Sequence, residues 1–521
     1  MSGASRRPVL TGALLRVYIR MCQPPVCRYP AWEQKDLKTT TARKRLRDFH
    51  RTVQARRRAW EVPGVVVGVV ADGEPVFVEG FGTRRVGHNL PVTADTPFAI
   101  CSCTKAFTTV LLQMLAEEGV LDWDRPVREM LPEFEMFDRV IGERLTTRDL
   151  VTHRCGLPRH DYVWYGSSAT RAELVHALRH LEPTADLRTT YQYQNLMYMT
   201  AGYLAGKLLD SSWEALVQER ILDPLGMAAT TLSLAGMTSS DAGARPHEMF
   251  RSKAREVPYR SLDAVGPAGS INSTVNDMTR WLRLHLGAGR VEGRRFLKAQ
   301  SLRDIHQPHM SIGDGGDEAE FQLVTYGLGW TELSYRGHRV ATHSGGIDGF
   351  RCRTSLLLEE GVGTVVLTNS DTELPHVLTW ELFDRLLGLK PVNWSRRAKA
   401  EVRGEQEKQR QSRRRERRQR TQGTRPSHRL GDYVGTYSHA GYGQITVCQR
   451  GDRLRTCLND LEGRLEHFHY DRFEFHCRRW DTPKPISFLT DVDGCVKQLS
   501  VPLQEGAADI LFTRDAGAES N

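Results

Sequence analysis

The sequence predicts a mixed α/β (α+β) fold: a central antiparallel sheet flanked by helices, with a helical subdomain, then a small antiparallel β-barrel. Three observations carry this. Strand patterns occur at 65–78 and again at 326–368, on either side of a largely helical middle. An Arg/Gln/Glu-rich segment at 394–429 is almost without apolar residues. From 430 on, the chain reads as short strands with turns such as Gly451-Asp452 and Asp493-Gly494 between them. The expected divisions are a basic tail at 1–40, a large domain at 41–393, a linker at 394–429 and a barrel at 430–515.

In chain order, 40–60 is helical and basic until Val62-Pro63-Gly64 breaks it. A valine run at 65–70, interrupted only by Gly68, turns at Asp72-Gly73 and returns through Val76-Phe77-Val78, a hairpin. A short apolar run from Phe98 ends at Ser102. A helix follows with Ala106, Phe107, Val110, Leu111, Met114 and Leu115 on one face, and Gly119 is placed to cap it. Residues 121–134 read as a turn and short helix, and Thr146 with Asp149 as a capping box for a helix at 150–153. Helices are expected at 170–180, 196–209 and 213–221, a polar lid-like excursion at 235–262, and Ser273 as the cap of a helix running to Leu286. Strands follow at 326–330, 338–343, 351–358 and 363–368, then a helix at 377–387. The segment 394–429 is either a solvated helix or disordered. Seven strands are expected beyond it, at 433–438, 444–450, 454–458, 473–478, 486–490, 496–501 and 510–513.

With 521 residues, 40% of them apolar, the chain can bury a sizeable core. Its net charge of +9 is unevenly spread. Residues 1–58 hold 15 Lys/Arg against 3 Asp/Glu, and 394–429 hold 14 against 4, so the remainder is acidic. The basic balance belongs to a tail and a linker, and nucleic-acid binding is not expected. The ten cysteines are scattered, with no C-x-x-C, which argues against a zinc knuckle or a disulfide framework. No apolar run reaches the roughly 20 residues of a membrane span. Residues 1–32 lack acids and carry five arginines among apolar residues, a transit-peptide-like composition that suits a cytoplasmic or organellar protein better than a secreted one.

Ser102 and Lys105 stand at i and i+3 at the start of a helix, one above the other. The amine can sit against the serine oxygen, and the serine N–H, lacking an intrahelical acceptor, can face an oxyanion. Alone, S-x-x-K is a weak signal, equally the mark of a capping serine with a solvated lysine. Two further motifs follow in order: Tyr193-Gln194-Asn195 and His343-Ser344-Gly345-Gly346. Together the three resemble the serine hydrolases related to class C β-lactamases, penicillin-binding DD-peptidases and the matching esterases, in which they read S-x-x-K, Y-x-N and K/H-[ST]-G. Gly80-Phe81-Gly82 and Asp223-Pro224-Leu225-Gly226-Met227 add to the likeness. His153-Arg154-Cys155-Gly156-Leu157-Pro158 departs from the family's H-T-S-G-L-P at Arg154 and Cys155. Gly431-Asp432-Tyr433-Val434-Gly435-Thr436-Tyr437 resembles the lipocalin-like domain that follows some members.

The resemblance implies a serine hydrolase forming an acyl-enzyme on an ester, amide, small peptide or lactam. Ser102 would be the nucleophile, and either Lys105 or Tyr193 the first base. Asn195 would hold Lys105 and the substrate amide. Ser344 would hydrogen-bond substrate, and Gly345 and Gly346 would let it approach the strand, with a backbone N–H near Gly346 completing the oxyanion hole. His343 stands where β-lactamases carry lysine, which weakens the case for β-lactam breakdown. An acyltransferase on the same site, or a non-catalytic scaffold that uses the basic linker, are the alternatives. His467 and His469 are read as core or surface histidines. No H-E-x-x-H and no phosphate-binding glycine loop is present, so neither a metal nor a nucleotide cofactor is expected. The expected partner is a small-molecule or peptide substrate.

Overall fold

The computed structural model describes residues 36–250, 253–313, 319–479 and 482–516. The transit-peptide-like segment 1–32 lies outside the described residues. An eight-stranded antiparallel sheet forms the large domain. Its order is Glu74–Gly82, Gly64–Ala71, Val362–Thr368, Phe350–Leu357, His338–Ile347, Thr331–Tyr335, Phe321–Tyr326, Met310–Gly313. The first hairpin thus lies beside the strand that closes the domain, with Val65 opposite Thr368.

The valine run is continuous because both faces of the sheet are covered, and successive side chains point to opposite faces. Val66 and Val70 join the core that holds helices Thr104–Glu117 and Val275–Leu286. Val65, Val67 and Val69 join the core under Thr39–Leu46, Phe49–Ala59 and Leu374–Leu387. Each fully buried valine contributes on the order of 1.5 kcal/mol. Gly68 interrupts the run because a Cβ there would stand 2.5 Å from Val275 and 2.9 Å from Val365. Phe107 and Trp281 stack at 3.7 Å and lock the two site-side helices together.

Several expectations need correction. Of the strand expected at 326–330 only Tyr326 is in a strand, the end of Phe321–Tyr326: Gly327 and Gly329 turn the chain after it, Gly327 N–H donating to the Trp330 carbonyl at 2.7 Å. The apolar Leu328 and Trp330 are buried in that turn instead. The Thr146–Asp149 capping box forms, but it caps Thr147–Leu150, one turn earlier than expected. Thr274, not Ser273, caps Val275–Leu286, accepting from Asp277 N–H. Ser273 is already committed to the two-residue pairing with Phe98 and to the Thr230 hydroxyl at 2.8 Å. The excursion at 235–262 contains the helix Leu234–Thr238 and the hairpin His247–Phe250 with Lys253–Glu256.

Of the two forms left open for the basic segment, the chain takes the helix, over Trp394–Arg418. Trp394 and Ala398 anchor its start in the core, and the rest is largely exposed. Eight strands then close into a barrel, leaving no unpaired edge. Of the barrel strands, sequence reasoning missed Leu461–His469, and in the large sheet it missed Met310–Gly313, Thr331–Tyr335 and all of Phe321–Tyr326 but its last residue. Charged Glu462, Arg464 and Glu466 occupy the outer face of Leu461–His469 and thin the apolar signal to Leu461, Leu465 and Phe468. His467 on this strand donates to the Tyr470 carbonyl at 2.9 Å, and His469 accepts from Thr421 N–H at 3.2 Å.

Candidate active site

The two-residue strand Phe98–Ala99 delivers the chain to a 3-10 turn, Cys101–Cys103, which runs into the helix Thr104–Glu117. Cys101 has a φ of +48°. A non-glycine residue held there stores roughly 1 kcal/mol or more, so the turn before Ser102 is set by its surroundings. Cys101 and Cys103 are buried, while Ser102 between them is partly exposed. Ser102 therefore stands partly exposed in the turn that opens the helix, where the helix dipole favours negative charge.

Lys105 lies one turn on, fully buried. Its Nζ is 3.3 Å from Ser102 Oγ and donates to Asn195 Oδ1 at 2.8 Å and to the Ala268 carbonyl at 2.9 Å. No carboxylate is among these partners. Burial, and then the nearby Arg159 guanidinium, push the Lys105 amine well below its usual range. A neutral amine has two N–H bonds and one lone pair. Two carbonyl oxygens take the N–H bonds, which leaves the lone pair for Ser102.

Tyr193 and Asn195 sit on either side of Gln194, whose side chain caps the helix Asn195–Leu208. The Tyr193 ring lies 4.7 Å from Lys105 Nζ and packs against the His153 ring at 4.2 Å. Burial raises the Tyr193 phenol well above its usual range, with the neighbouring Ser102 side chain acting in the opposite direction. His153, buried and with a φ of +57°, accepts the Gln194 N–H on Nδ1 at 3.0 Å and so fixes this loop. Asn195 Nδ2 donates to Asp161 Oδ1 at 3.1 Å. Asp161 pairs with Arg159 at 2.6 Å, and the Arg159 guanidinium lies 4.9 Å from the centre of the same Tyr193 ring.

His343 and Ser344 lie within the strand His338–Ile347. The buried His343 ring is 2.9 Å from the Tyr326 hydroxyl at Nε2 and 2.6 Å from the Ser344 carbonyl at Nδ1. A carbonyl only accepts, so Nδ1 carries the proton, and in the neutral ring Nε2 accepts from Tyr326. On the side of the neighbouring strand, pairing ends at Thr342 with Thr331, whereas Ser344, Gly345 and Gly346 pair with Arg353, Cys352 and Arg351 on the other. Ser344 is exposed on this stretch. Gly345 packs against the nucleophile turn: a Cβ there would stand 2.3 Å from the Ile100 carbonyl. Gly346 backs onto the Arg351 side chain.

A family model described as β-lactamase matches residues 49–389, and one described as a domain of unknown function matches 419–514. The chain belongs to the β-lactamase family. At that level it is a serine-hydrolase type of enzyme. Similar relatives include the unguisins hydrolase of Aspergillus violaceofuscus, 29% identical over 77% of this chain and 76% of that one. Penicillin-binding protein 4 of Amycolatopsis lactamdurans is 25% identical over 64% and 87%. A solved structure titled as the octameric penicillin-binding protein homologue from Pyrococcus abyssi shares the fold. Its TM-score is 0.59 at 20% identity, covering 90% of this chain and 99% of that one. No helix among the described residues is long and apolar enough to cross a membrane.

The candidate site thus has Ser102, Lys105, Tyr193 and Asn195 in one cluster, with His343 beside Tyr193 at a ring separation of 6.3 Å. Sequence reasoning missed residues that hold it together. The Cys103 thiol donates to the His343 carbonyl at 3.2 Å, and Cys352 to the Ile100 carbonyl at 2.8 Å. These thiols tie the nucleophile turn to the sheet. Ala268 is another of the missed residues, since a backbone carbonyl bond to Lys105 leaves no mark in the residue pattern. Asp161 and Arg159 follow directly after Leu157-Pro158 and were legible only as loop residues. The departure at 154 has a physical reason. Arg154 bonds the buried Asp149 at 2.6 Å and the His309 carbonyl at 3.1 Å. Burial pushes the Cys155 thiol up to about 12.

Proposed function

We propose that this chain is a serine hydrolase that opens an ester, amide or lactam carbonyl through an acyl-enzyme on Ser102. The observation that carries the reading is the buried Lys105 amine, 3.3 Å from Ser102 Oγ, with carbonyl oxygens and no carboxylate as its other partners. Lys105 is the first base, because burial favours its neutral form while burial keeps Tyr193 a phenol. The Ser102 hydroxyl donates to the amine lone pair as its oxygen attacks the carbonyl carbon. Tyr193 carries the proton on toward the leaving group. Asn195 orients Lys105. The N–H groups of Ser102 and Gly346 stabilise the oxyanion. His343, closed in by Tyr326 and by the carbonyl of Ser344, builds the strand and does not supply the charged amine that a lysine would. The family relatives named as a hydrolase and as a penicillin-binding protein support acyl chemistry in general.

The test is intact-mass spectrometry after exposure to a fluorophosphonate and, separately, to a penicillin. The wild type is expected to gain one fluorophosphonate adduct that Ser102→Ala does not. Folded wild-type protein that stays unlabelled by both probes would overturn the reading.

A further inference from the structure

The barrel grips one loop of the large domain, 158–166, at several points. His160 stands in this loop with a φ of +46°, a left-handed conformation for a residue that is 2% exposed. Its Nδ1 is 2.6 Å from the Tyr442 hydroxyl, and its N–H donates to Gln504 Oε1 at 2.6 Å. Asn459 Nδ2 donates to the carbonyls of Tyr162 and Tyr165 at 2.9 and 3.0 Å. Tyr442, Gln504 and Asn459 all belong to the barrel. A second set of contacts closes the far end of the loop. Asp460 pairs with Arg260 at 2.6 Å, and Arg479 pairs with Asp348, which also accepts the Tyr165 hydroxyl.

Between these grips stands Asp161. Its Oδ1 accepts from Asn195 Nδ2 at 3.1 Å and from Trp164 Nε1 at 3.0 Å, and its Oδ2 pairs with Arg159. Asn195 in turn accepts from Lys105 Nζ at 2.8 Å. The path from barrel to amine is therefore continuous: barrel side chains, His160 and Tyr162 backbone, Asp161 carboxylate, Asn195 amide, Lys105. A left-handed backbone at a non-glycine residue persists only where its surroundings over-determine it. At His160 two of the residues that hold it are barrel residues.

We propose that Tyr442, Gln504 and Asn459 are positioning residues for the Ser102 site, setting Lys105 through Asp161 and Asn195. This rests on the hydrolase reading above. The barrel is then part of the machinery that aims the base, and not a neighbour packed beside it.

The experiment uses the full chain and a fluorophosphonate, with the maximal inactivation rate and the half-saturating probe concentration measured separately. Gln504→Ala and Asn459→Ala are expected to lower the maximal rate roughly tenfold, since sub-ångström misplacement of a base is felt strongly, while the half-saturating concentration stays constant. In an Asp161→Asn background the same substitutions are expected to add less than about twofold, because the path is already cut. Tyr442→Phe, which removes one hydroxyl, repeats the test should either alanine variant fail to fold. Full-size, additive losses in the Asp161→Asn background, or wild-type rates in all the barrel variants, would overturn the proposal. An unlabelled wild type would instead sink the hydrolase reading and this proposal with it.

Discussion

Adding one methyl group at Gly345 should disable Ser102 without touching it. In Gly345→Ala the new Cβ would lie 2.3 Å from the Ile100 carbonyl oxygen and 2.5 Å from the Cys352 sulfur. The sulfur can rotate away, but the carbonyl is backbone. It must retreat by roughly 0.7 Å to reach the shortest tolerable contact and by about 1 Å to reach an ordinary one. Ile100 lies two residues before Ser102, and its carbonyl also receives the Cys103 N–H at 3.1 Å. The retreat therefore carries the nucleophile turn with it. A displacement near 1 Å between nucleophile and base lowers the rate about 10- to 100-fold, equivalent to about 1.4–2.7 kcal/mol of barrier. Overpacking should also remove about 1–3 kcal/mol of folding stability. The assay is the maximal rate of Ser102 labelling by a fluorophosphonate, with thermal unfolding measured in parallel. Labelling within about twofold of wild type, at an unchanged midpoint, would refute the reasoning, since it would mean that the strand does not set the turn.

Three further outcomes are expected. Lys105→Met should lower the labelling rate by about 10²–10⁴ while the protein stays folded, and loss of less than tenfold would exclude Lys105 as the base. The wild-type rate should rise with pH through the Lys105 pKa, at a limb well below the amine's usual 10.5, because only the neutral amine accepts the proton. Arg159 pushes that limb down and the Asp161 charge pushes it up, with smaller contributions from Cys103 and Cys101, so Asp161→Asn should move it to lower pH. A pH–rate profile checks both. Asp149→Ala should remove about 2–3 kcal/mol, because the buried carboxylate pairs with Arg154 and Arg188 and caps at Thr146. Burial raises the Asp149 pKa, but Arg188 and Thr146 outweigh it and the net shift is below 3.8. The stabilisation is therefore present above that value and is lost as pH falls through the folded pKa. Denaturant titrations should show the wild-type advantage shrinking below pH 3.8.

Local chemistry made much of this molecule legible. The valine hairpin, the nucleophile helix with its glycine stop and the capping box at Thr146 are each written in a few adjacent residues. Ser102, Lys105, Tyr193, Asn195 and His343 were singled out by three ordered motifs and the family resemblance they carry, and the fold brings these residues together. What failed was non-local. The 326–330 stretch looked like a strand by its apolar residues, yet Gly329 at a φ of +84° turns it against the nucleophile helix. Ser273 lost its capping role to Thr274 because distant Phe98 and Thr230 claimed it. Ala268 holds the base through a carbonyl, a group every residue carries. Asp161 reaches Lys105 only through Asn195, from a loop that the barrel contacts at His160.

The sheet that carries the site joins the two ends of the large domain. Val65 to Ala71 pair with residues 362–368, nearly 300 positions later in the chain. The Gly345 contact that seats the nucleophile turn likewise spans from 100 to 345. During synthesis Ser102 and Lys105 emerge long before either partner exists, and such distant pairings form slowly because a large loop must close first. A ribosome-bound fragment therefore holds a serine beside a lysine with nothing to bury or aim them. Reactivity should switch on late, as the last strands of the domain and then the barrel dock.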